Sequence, residues 1–421
     1  MSNNLKKIRQ LLSILVRERR KSLTPQRVSV GWPAFDEREV WRALDSLLEL
    51  RLSQGSNVRE FEKMCATYVG VRYAVAVNSG SSANLLALTA LVESGEVSRG
   101  AEVIVPAATF PAVVSPILQL GLLPVYVDVD RCSWNIDPKE IERAITKKTK
   151  MLMPVHSLGN PADMTAIVKI AKKHGLILVE DCCEAHGSRI GLKKVGSFGD
   201  LATWSFFVAH NITTGEGGMV FTNSSKYHEI LLSVREFGRL PLSASKERFI
   251  NDEVLGKYDT RYVFNRLGYN VRMTDIAAAM GIEQLKKLDR FNQRRLSIVN
   301  KYQQSFGKYQ KYLQLPEIRP GTFHSFYGYQ LVVKKNLFFD RDALVNFLEK
   351  HNIETRPFFA GCLPDQPAFR RQPQRIVGDL AVSRWLRDHA FFIGCHQALS
   401  ATQVSHVLKT FENFFLSTTR I

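Results

Sequence analysis

Short apolar strands alternate with amphipathic helices from about residue 70 to residue 181, and this alternation constrains the fold more than any other feature. The predicted strands are the apolar runs at 73–77, 102–106, 123–130, 151–156 and 176–181. Segments with helical spacing of apolar residues separate them, such as ANLLALTALV and MTAIVKIAKKHG. Strands that are apolar throughout are typical of parallel sheets covered on both faces. The sequence therefore predicts an α/β fold, with a mainly parallel central sheet and helices on both of its faces.

The pattern changes on either side of this region, which divides the 421-residue chain into three parts. Residues 1–55 are predicted to form an N-terminal helical segment, and residues 56–295 a large domain that contains the sheet. After about residue 295, the strand-like run FYGYQLVV and the helical run ATQVSHVLKTFENFF predict a smaller C-terminal α+β domain over 296–421. A chain of this length can bury a sizeable core.

Composition and charge exclude several classes of function. The chain is 45% hydrophobic and 23% charged, which is typical of a soluble globular protein. It has no apolar run as long as a membrane span and no signal-peptide pattern at its start, so we predict a cytoplasmic protein without a membrane partner. The net charge of +17 is spread along the chain without a nucleic-acid-binding module, which favours a doubly charged nucleotide substrate over nucleic acid. The six cysteines form no metal-ligand spacing, so no metal site is predicted.

Polar and aromatic residues with possible chemistry follow the predicted strands, where open α/β sheets bind their ligands. Residues 78–83, NSGSSA, follow the first strand and open a helix; they suit either a phosphate cradle or a plain capped turn. Phe110 would stack on a flat ligand or pack in the core. Asp181 ends its strand and needs a partner, either a protonated ring nitrogen or an arginine. His210 precedes the glycine-rich run 215–218 and would be either a presented base or a structural histidine.

The order of these features is the layout of a pyridoxal phosphate site, and the surrounding motifs resemble the sugar aminotransferase family of fold type I. The similar motifs are NSGSSANLLAL, PAATFPAVVSPI, VEDCCEAHGS, SFGDLATWSFF, NITTGEGGMVFT and GYNVRMTDIAAAMG, and they occur in order from about residue 30 to near the C-terminus. The resemblance implies a fold type I enzyme that uses pyridoxal 5′-phosphate or pyridoxamine 5′-phosphate.

The resemblance also implies roles for individual residues. The turn at Gly80, Ser81 and Ser82, joined by Ser205, would bind the cofactor phosphate. Phe110 would stack on the ring, Asp181 would hold the ring nitrogen protonated, and Glu184 would lie on the side of the ring hydroxyl, where aminotransferases commonly have glutamine. Asn270 matches a residue that reaches the phosphate site of a second subunit. We therefore expect a homodimer with a shared active site.

The sequence departs from most of the family at His210, where a lysine usually holds the cofactor covalently. No lysine occurs between Lys194 and Lys226. An imidazole cannot form that covalent link, but it can move protons near neutral pH. The same replacement is found in the 3-dehydratases of 3,6-dideoxyhexose biosynthesis. There the histidine removes a proton from the C4′ carbon of a non-covalently bound pyridoxamine phosphate, and the C3 hydroxyl of a nucleotide-linked 4-keto-6-deoxyhexose is expelled.

Two groups within that branch differ in their use of iron. The motifs HSLGNPADM and YDTRYVFNRLGYN resemble the dehydrases of ascarylose-type sugars, which carry a [2Fe–2S] cluster on cysteines in the segment matching residues 237–258. This chain has no cysteine between Cys183 and Cys362, so we expect no iron–sulfur cluster. The colitose-pathway dehydratase, in contrast, needs no cluster and uses glutamate to regenerate the amine form of the cofactor.

The sequence therefore favours a cluster-free 3-dehydratase over two alternatives. One is a sugar aminotransferase relative that has lost its lysine and is inactive or only binds ligands. The other is a catalytically silent regulator that binds the cofactor or a sugar nucleotide. The identity of the nucleotide, the sugar, the amino donor and the pathway stays open, as does the need for a reductase partner.

Overall fold

The computed structural model describes residues 3–22, 27–240 and 247–418. The α-helices in these ranges are α1 (Asn3–Ser22), α2 (Glu37–Leu48), α3 (Ser56–Val69), α4 (Gly80–Glu93), α5 (Pro111–Gln119), α6 (Pro138–Ala144), α7 (Met164–His174), α8 (Ser225–Arg235), α9 (Asp275–Leu285), α10 (Leu288–Phe306), α11 (Arg341–Lys350), α12 (Ala381–His389) and α13 (Ala401–Thr418). Among these helices, each is too short or too polar to cross a bilayer.

The strands pair into one large sheet and smaller ones. They are β1 (Tyr73–Val77), β2 (Glu102–Pro106), β3 (Leu123–Val127), β4 (Thr149–Leu152), β5 (Ile177–Asp181), β6 (Arg189–Ile190), β7 (Lys193–Lys194), β8 (Leu201–Ser205), β9 (Gly218–Thr222), β10 (Phe249–Asp252), β11 (Gly256–Asp259), β12 (Leu313–Gln314), β13 (Thr322–Phe323), β14 (Tyr329–Val333), β15 (Thr355–Pro357), β16 (Arg375–Ile376) and β17 (Ala390–Ile393).

The large sheet has eight strands in the order β1-β9-β8-β5-β4-β2-β3-β16. All neighbouring pairs are parallel except those that involve β9, which runs antiparallel to both β1 and β8. The prediction of a mainly parallel sheet is thus confirmed. The five apolar runs of the sequence supply β1 to β5.

Alternate side chains of the strands bury different cores, because successive residues of a strand point to opposite faces. Val75 and Val77 of β1 pack in a cluster with α4, α5 and α8, whereas Ala74 and Ala76 pack in a second cluster with α3 and α9. A third cluster lies under α6 and α7. Helices therefore cover both faces of the sheet, which explains why its strands are apolar throughout.

The chain after residue 295 forms an antiparallel sheet in the order β12-β14-β17-β15, with a core shared by α10, α11 and α13. This agrees with the predicted mixture of helices and strands, while the domain boundaries at residues 55 and 295 stay a prediction. Two short strands of this region pair outside the four-stranded sheet: β13 pairs with β6, and β16 pairs with β3 at the edge of the large sheet.

One strand end differs from the sequence-based expectation. The apolar run that begins at residue 201 suggests a strand that continues to Phe207, but β8 ends at Ser205. Phe207 instead forms an isolated parallel bridge with Gly215, so the chain makes a loop between them and runs in the same direction at both residues. The apolar pattern misled because Phe206 is buried in the core although it lies outside the strand.

Candidate active site

The floor of the candidate site is a buried carboxylate at the end of β5. Asp181 is 5% exposed, and its Oδ2 accepts a hydrogen bond of 2.8 Å from Asn84 Nδ2. Its Oδ1 accepts from the backbone N–H of Cys183 at 3.0 Å. Asn84 lies on α4 and in turn accepts from the hydroxyl of Thr203 on β8, at 2.7 Å. In the described part of the chain no cation pairs with Asp181, so the carboxylate is fixed in place with its charge uncompensated.

The turn before α4, called the anion cradle below, has the backbone geometry that could hold an anion. Ser79 caps the helix, and its hydroxyl accepts from the backbone N–H of Ser82 at 3.1 Å. The first N–H groups of a helix lack intrahelical acceptors, so those of Gly80 and Ser81 point out of the helix start. Gly80 is required here: a Cβ at this position would lie 2.4 Å from the Cβ of Ser205. The turn and Ser205 are therefore in direct contact, while their role in binding a phosphate stays a prediction.

Phe110 lies at the start of α5, as its N-cap residue. Its ring is 56% exposed, so the expectation that it packs in the core is wrong. Helix α5 is tied to the floor, because Asn84 Nδ2 also donates to the carbonyl of Ala112 at 3.2 Å. An exposed aromatic ring at this position suits a flat ligand that lies above Asp181.

Glu184 forms the side of the site that faces the C-terminal region. Its Oε2 accepts from the backbone N–H of Leu158 at 2.9 Å. Leu158 has a positive φ of 50°, which is uncommon for a residue of this type, and its carbonyl accepts from the N–H of Tyr327 at 2.8 Å. Burial, opposed by the Leu158 N–H and helped by the charge of Asp181, raises the pKa of Glu184 to about 8. The group is therefore protonated at neutral pH.

His210 is placed by a tight turn between β8 and β9. Its backbone N–H donates to the carbonyl of Phe207 at 3.0 Å. The hydroxyl of Thr213 donates to the carbonyl of Phe206 at 2.8 Å, which closes the turn around the histidine. Ala209 packs against Gly31, where a Cβ would lie 2.6 Å from that of the alanine. The backbone that carries His210 is thus held from both sides.

The imidazole of His210 is surrounded mainly by rings. It is 9% exposed, and its ring centre lies 5.1 Å from that of Tyr327, 5.8 Å from that of His186 and 6.2 Å from that of Phe207. Its Nδ1 is buried and has no hydrogen-bond partner among the described residues. Burial and the charge of Arg295 lower the pKa of His210 to about 3. The ring is therefore neutral and has a free nitrogen.

The side chain of Asn270 lies apart from this cluster. It is exposed, and it forms an isolated bridge with Glu236. The next residue, Val271, accepts at its carbonyl from the backbone N–H of Asn78 at 2.9 Å, which holds the strand-like segment beside the anion cradle. The role of Asn270 toward a second subunit stays a prediction.

Sequence reasoning missed four polar or aromatic residues of the site: Asn84, His186, Arg295 and Tyr327. Asn84 had a signal, since it is a polar residue inside the apolar helix α4 and is 1% exposed. The other three had none, because they reach His210 from distant parts of the chain.

One buried cluster outside the site has the composition of a metal site. Atoms of His156, Glu180 and Cys182 lie within 4.8 Å of one another. However, Glu180 already accepts from the N–H groups of Gly196, Phe198 and Gly199, and it lies 3.2 Å from His156 Nε2. The cluster therefore serves to hold the loop before β8.

The segment that carries the cluster cysteines in ascarylose-type dehydrases was expected to bind no iron here. Of residues 237–258, residues 241–246 lie outside the described part. The described remainder includes the hairpin of β10 and β11, whose strands pair in antiparallel register. The sequence of the whole segment contains no cysteine.

Comparison with known proteins places this geometry in context. The family model for DegT/DnrJ/EryC1/StrS aminotransferases matches residues 33–412. The lipopolysaccharide biosynthesis protein RfbH of Salmonella typhimurium is 36% identical over 435 residues, which cover 98% of this chain and 99% of that protein. The dTDP-4-dehydro-2,6-dideoxy-D-glucose 3-dehydratase of Saccharopolyspora spinosa is 38% identical over 394 residues, covering 90% and 85%.

Solved structures agree with the fold. An E. coli GDP-4-keto-6-deoxy-D-mannose-3-dehydratase with bound hydrated PLP has a TM-score of 0.83 at 30% identity, covering 91% of this chain and 98% of that chain. This likeness confirms the prediction of fold type I. A second kind of sugar-nucleotide enzyme is also similar: GDP-perosamine synthase of Vibrio cholerae is 36% identical over 307 residues, 73% of this chain and 77% of that protein.

Proposed function

The chain belongs to the DegT/DnrJ/EryC1/StrS aminotransferase family, and we propose that it is a 3-dehydratase of nucleotide-linked 4-keto-6-deoxyhexoses. One observation carries the proposal. The turn after β8 presents a buried, neutral histidine where most of the family has lysine, and residues 195–225 contain no lysine. The names of the 3-dehydratases among its relatives support the same reading. The reaction would remove the C3 hydroxyl during deoxysugar biosynthesis.

The residues of the site fit pyridoxal or pyridoxamine 5′-phosphate. The N–H groups of the cradle at residues 79–82, with Ser205 in contact, suit a phosphate. Asp181 is a buried carboxylate without a cation, which suits a protonated ring nitrogen, and the exposed ring of Phe110 suits the ring face. When bound as the amine form, the cofactor supplies an amine for the C4 ketone and an electron sink for loss of the C3 hydroxyl.

His210 performs the proton transfer in this proposal. Because its ring is neutral, it can accept a proton from the C4′ carbon of the cofactor and deliver one to the departing hydroxyl. The pKa near 3 belongs to the ligand-free protein. Negative charge brought by the cofactor phosphate and the nucleotide raises the pKa of a nearby histidine, which strengthens it as a base.

Glu184 has a separate task because it is protonated at neutral pH. A neutral carboxylic acid can donate one hydrogen bond, and Oε2 of Glu184 is already bonded to the N–H of Leu158. The acid is thus oriented to donate toward the ring hydroxyl of the cofactor. Glutamine, the usual residue of aminotransferases at this position, is also a neutral donor.

Partners follow from the same site. The net charge of +17 favours a nucleotide-linked substrate with two phosphate charges. A homodimer would bring the exposed Asn270 to the phosphate site of the other subunit, and it would cover exposed aromatic rings near it, including Tyr262 and Phe264 at 61% and 51%. Glutamate is the proposed donor that regenerates the amine form. In this proposal the reaction takes place in the cytoplasm and requires no iron–sulfur cluster.

The first test uses the absorption spectrum of the purified protein loaded with pyridoxal phosphate. Glutamate should remove the aldehyde-form band, and borohydride should fix no cofactor to the protein. With CDP-, GDP- and dTDP-linked 4-keto-6-deoxyhexoses, mass spectrometry should find a sugar that has lost its C3 oxygen. The His210→Lys variant should bind the cofactor covalently and lose dehydration by about 10²–10⁴-fold. The exposed His406→Lys is the matched control and should behave as the wild type.

Two outcomes would overturn the proposal. Borohydride fixation in the wild type would show that another lysine has replaced the missing one. A product that gains an amino group, instead of losing oxygen, would make the chain a sugar aminotransferase like the perosamine synthases. If neither change is seen and the cofactor still binds, the silent regulator becomes the better reading.

A further inference from the structure

We propose that Arg295 is the positioning residue of His210: a buried guanidinium that fixes the imidazole from behind and keeps it unprotonated. The consequence for dehydration rests on the proposed function, whereas the effect of Arg295 on the protonation of His210 does not. It assigns a task to a charged group that lies outside the predicted cofactor contacts.

Arg295 is an unusual arginine because it is fully buried without a counter-ion. It lies on α10 and is 0% exposed. Its Nη1 donates to the backbone carbonyls of Phe326 and Tyr327 at 2.9 and 3.0 Å, and its Nε donates to Gln397 Oε1 at 2.8 Å. Within the described ranges, no carboxylate pairs with it, and its charged neighbours do not include one. Burial of an unpaired charge is costly, so a buried arginine of this kind needs an explanation.

The partners of Arg295 flank His210 on both sides. Tyr327, whose carbonyl it binds, packs its ring against that of His210 at 5.1 Å. Gln397, its other partner, donates through Nε2 to the carbonyl of Asn211 at 3.3 Å. Asn211 directly follows His210 in the chain. The guanidinium therefore links the segment of Tyr327, which packs on the imidazole, to the turn that carries His210.

Helix α10 repeats this contact one turn earlier. Asn292, three residues before Arg295, accepts from Asn211 Nδ2 at 2.8 Å. Its own Nδ2 donates to the carbonyl of His186 at 2.8 Å, and the ring of His186 lies 5.8 Å from that of His210. One face of α10 thus supports the turn of His210 and its ring neighbours.

The charges around the imidazole leave Arg295 unopposed. From the loop after β5, His186 is held neutral, because burial and the charge of Arg295 lower its pKa. From the segment before β14, Tyr327 is an uncharged phenol whose pKa is raised by burial. Glu184, behind Tyr327, is protonated below about pH 8. From the turn itself, Phe207 carries no charge. Among the described residues, a proton on His210 would therefore meet the cation of Arg295 without a carboxylate that offsets it.

A purely structural role for Arg295 would also use its hydrogen bonds to the carbonyls of Phe326 and Tyr327. The two roles differ in what they predict for titration. A structural arginine can be lost with a change in stability but without a change in the protonation of His210. A positioning arginine sets that protonation.

The test measures the ring ¹⁵N shifts of His210 against pH by NMR, in full-length protein without cofactor or substrate. The signal is assigned by comparison with His210→Asn. In Arg295→Gln, we expect the midpoint of the His210 titration to rise by about one pH unit or more. The matched control is Arg294→Gln, the neighbouring arginine on α10, whose Nη2 donates to the carbonyl of Leu399 at 3.1 Å. It should leave the midpoint unchanged.

A second variant keeps the test decisive if Arg295→Gln does not fold. Gln397→Glu retains the guanidinium and places a carboxylate on its Nε, so it neutralises the charge in place. It should raise the midpoint of His210 as well, and it should move the pH profile of kcat/KM for dehydration to higher pH. If neither variant moves the midpoint, the inference is wrong even if the protein is a dehydratase. If the midpoint moves but no dehydration is found, the proposed function fails and the inference stands.

Discussion

The floor of the site around Asp181 and the wall around His210 are both buried, yet they are built in opposite ways. On the floor, hydrogen-bond donors from Asn84 and Cys183 surround a charged carboxylate. In the wall, rings and a cation surround a neutral imidazole whose Nδ1 has no described partner. A donor-rich site holds a fixed charge, whereas a site with a free nitrogen and a repelling cation keeps a group ready to change its protonation. The comparison teaches that the neighbours of a buried group add to the effect of burial: the charge of Arg295 lowers the pKa of His210 further than burial alone does.

The largest effect is expected where the fixed charge is removed. Asp181→Asn keeps the shape of the side chain but leaves a protonated ring nitrogen buried without its carboxylate. Breaking such a pair costs about 3–5 kcal/mol, so cofactor affinity should fall by about two to four orders of magnitude. Equilibrium titration with pyridoxamine phosphate measures this. The exposed Asp342→Asn, on α11, should bind the cofactor as the wild type does. If Asp181→Asn also binds with the affinity of the wild type, Asp181 does not hold the ring nitrogen.

The burial of His210 should affect how the stability of the fold depends on pH. The pKa of His210 is about 3 in the folded chain, against an ordinary value of 6.5, so the unfolded chain binds this proton more readily. The stability of the fold therefore falls as the pH drops from about 6.5 toward 3, by up to about 1.4 kcal/mol per pH unit from this group. The free energy of unfolding of His210→Asn, measured with denaturant at several pH values, should depend less steeply on pH between about 3 and 6.5. The exposed His351→Asn should retain the slope of the wild type, and a retained slope in His210→Asn would contradict the assignment.

The smallest effect is expected from Thr203, which acts on Asp181 only through Asn84. Thr203→Val removes one hydrogen bond to Asn84 and leaves its buried Oδ1 without that donor, which should cost about 1 kcal/mol. Because Asn84 orients Asp181, part of this loss should be seen as weaker cofactor binding by calorimetry. Thr222→Val, on β9, removes a similarly buried hydroxyl that donates to the backbone carbonyl of Asp200, and it should lower stability alone. Equal cofactor affinity in both variants would show that Asn84 does not position the carboxylate.

The fold was largely predictable because local pattern determines it. The five apolar runs became β1 to β5, and Thr274 and Asp275 mark the start of α9 as their cap pattern indicates. The strand end at Ser205 was not predictable, since Phe206 is apolar for reasons of tertiary packing rather than strand formation.

The floor was predictable and the wall was not. Gly80, Asp181 and Ser205 stand next to their own strands, so motif and strand end reveal them together. His210 was visible for the same reason, but its surroundings were not. Tyr327, Arg295 and Gln397 come from later segments that only the folded chain brings to the turn, and no spacing in the sequence records their approach.

Strand β16 is a two-residue piece late in the chain, and it has a consequence for synthesis. It covers the free edge of β3, where Arg375 binds Glu102 through Nε and Nη2 at 3.1 and 2.8 Å. Until the ribosome has made residue 376, every other strand of the large sheet exists while the β3 edge still offers unpaired backbone groups. A nascent chain in this state can recruit a strand from a neighbouring polysome. A premature stop shortly before residue 375 would therefore produce a chain whose β3 edge stays unpaired and open to aggregation.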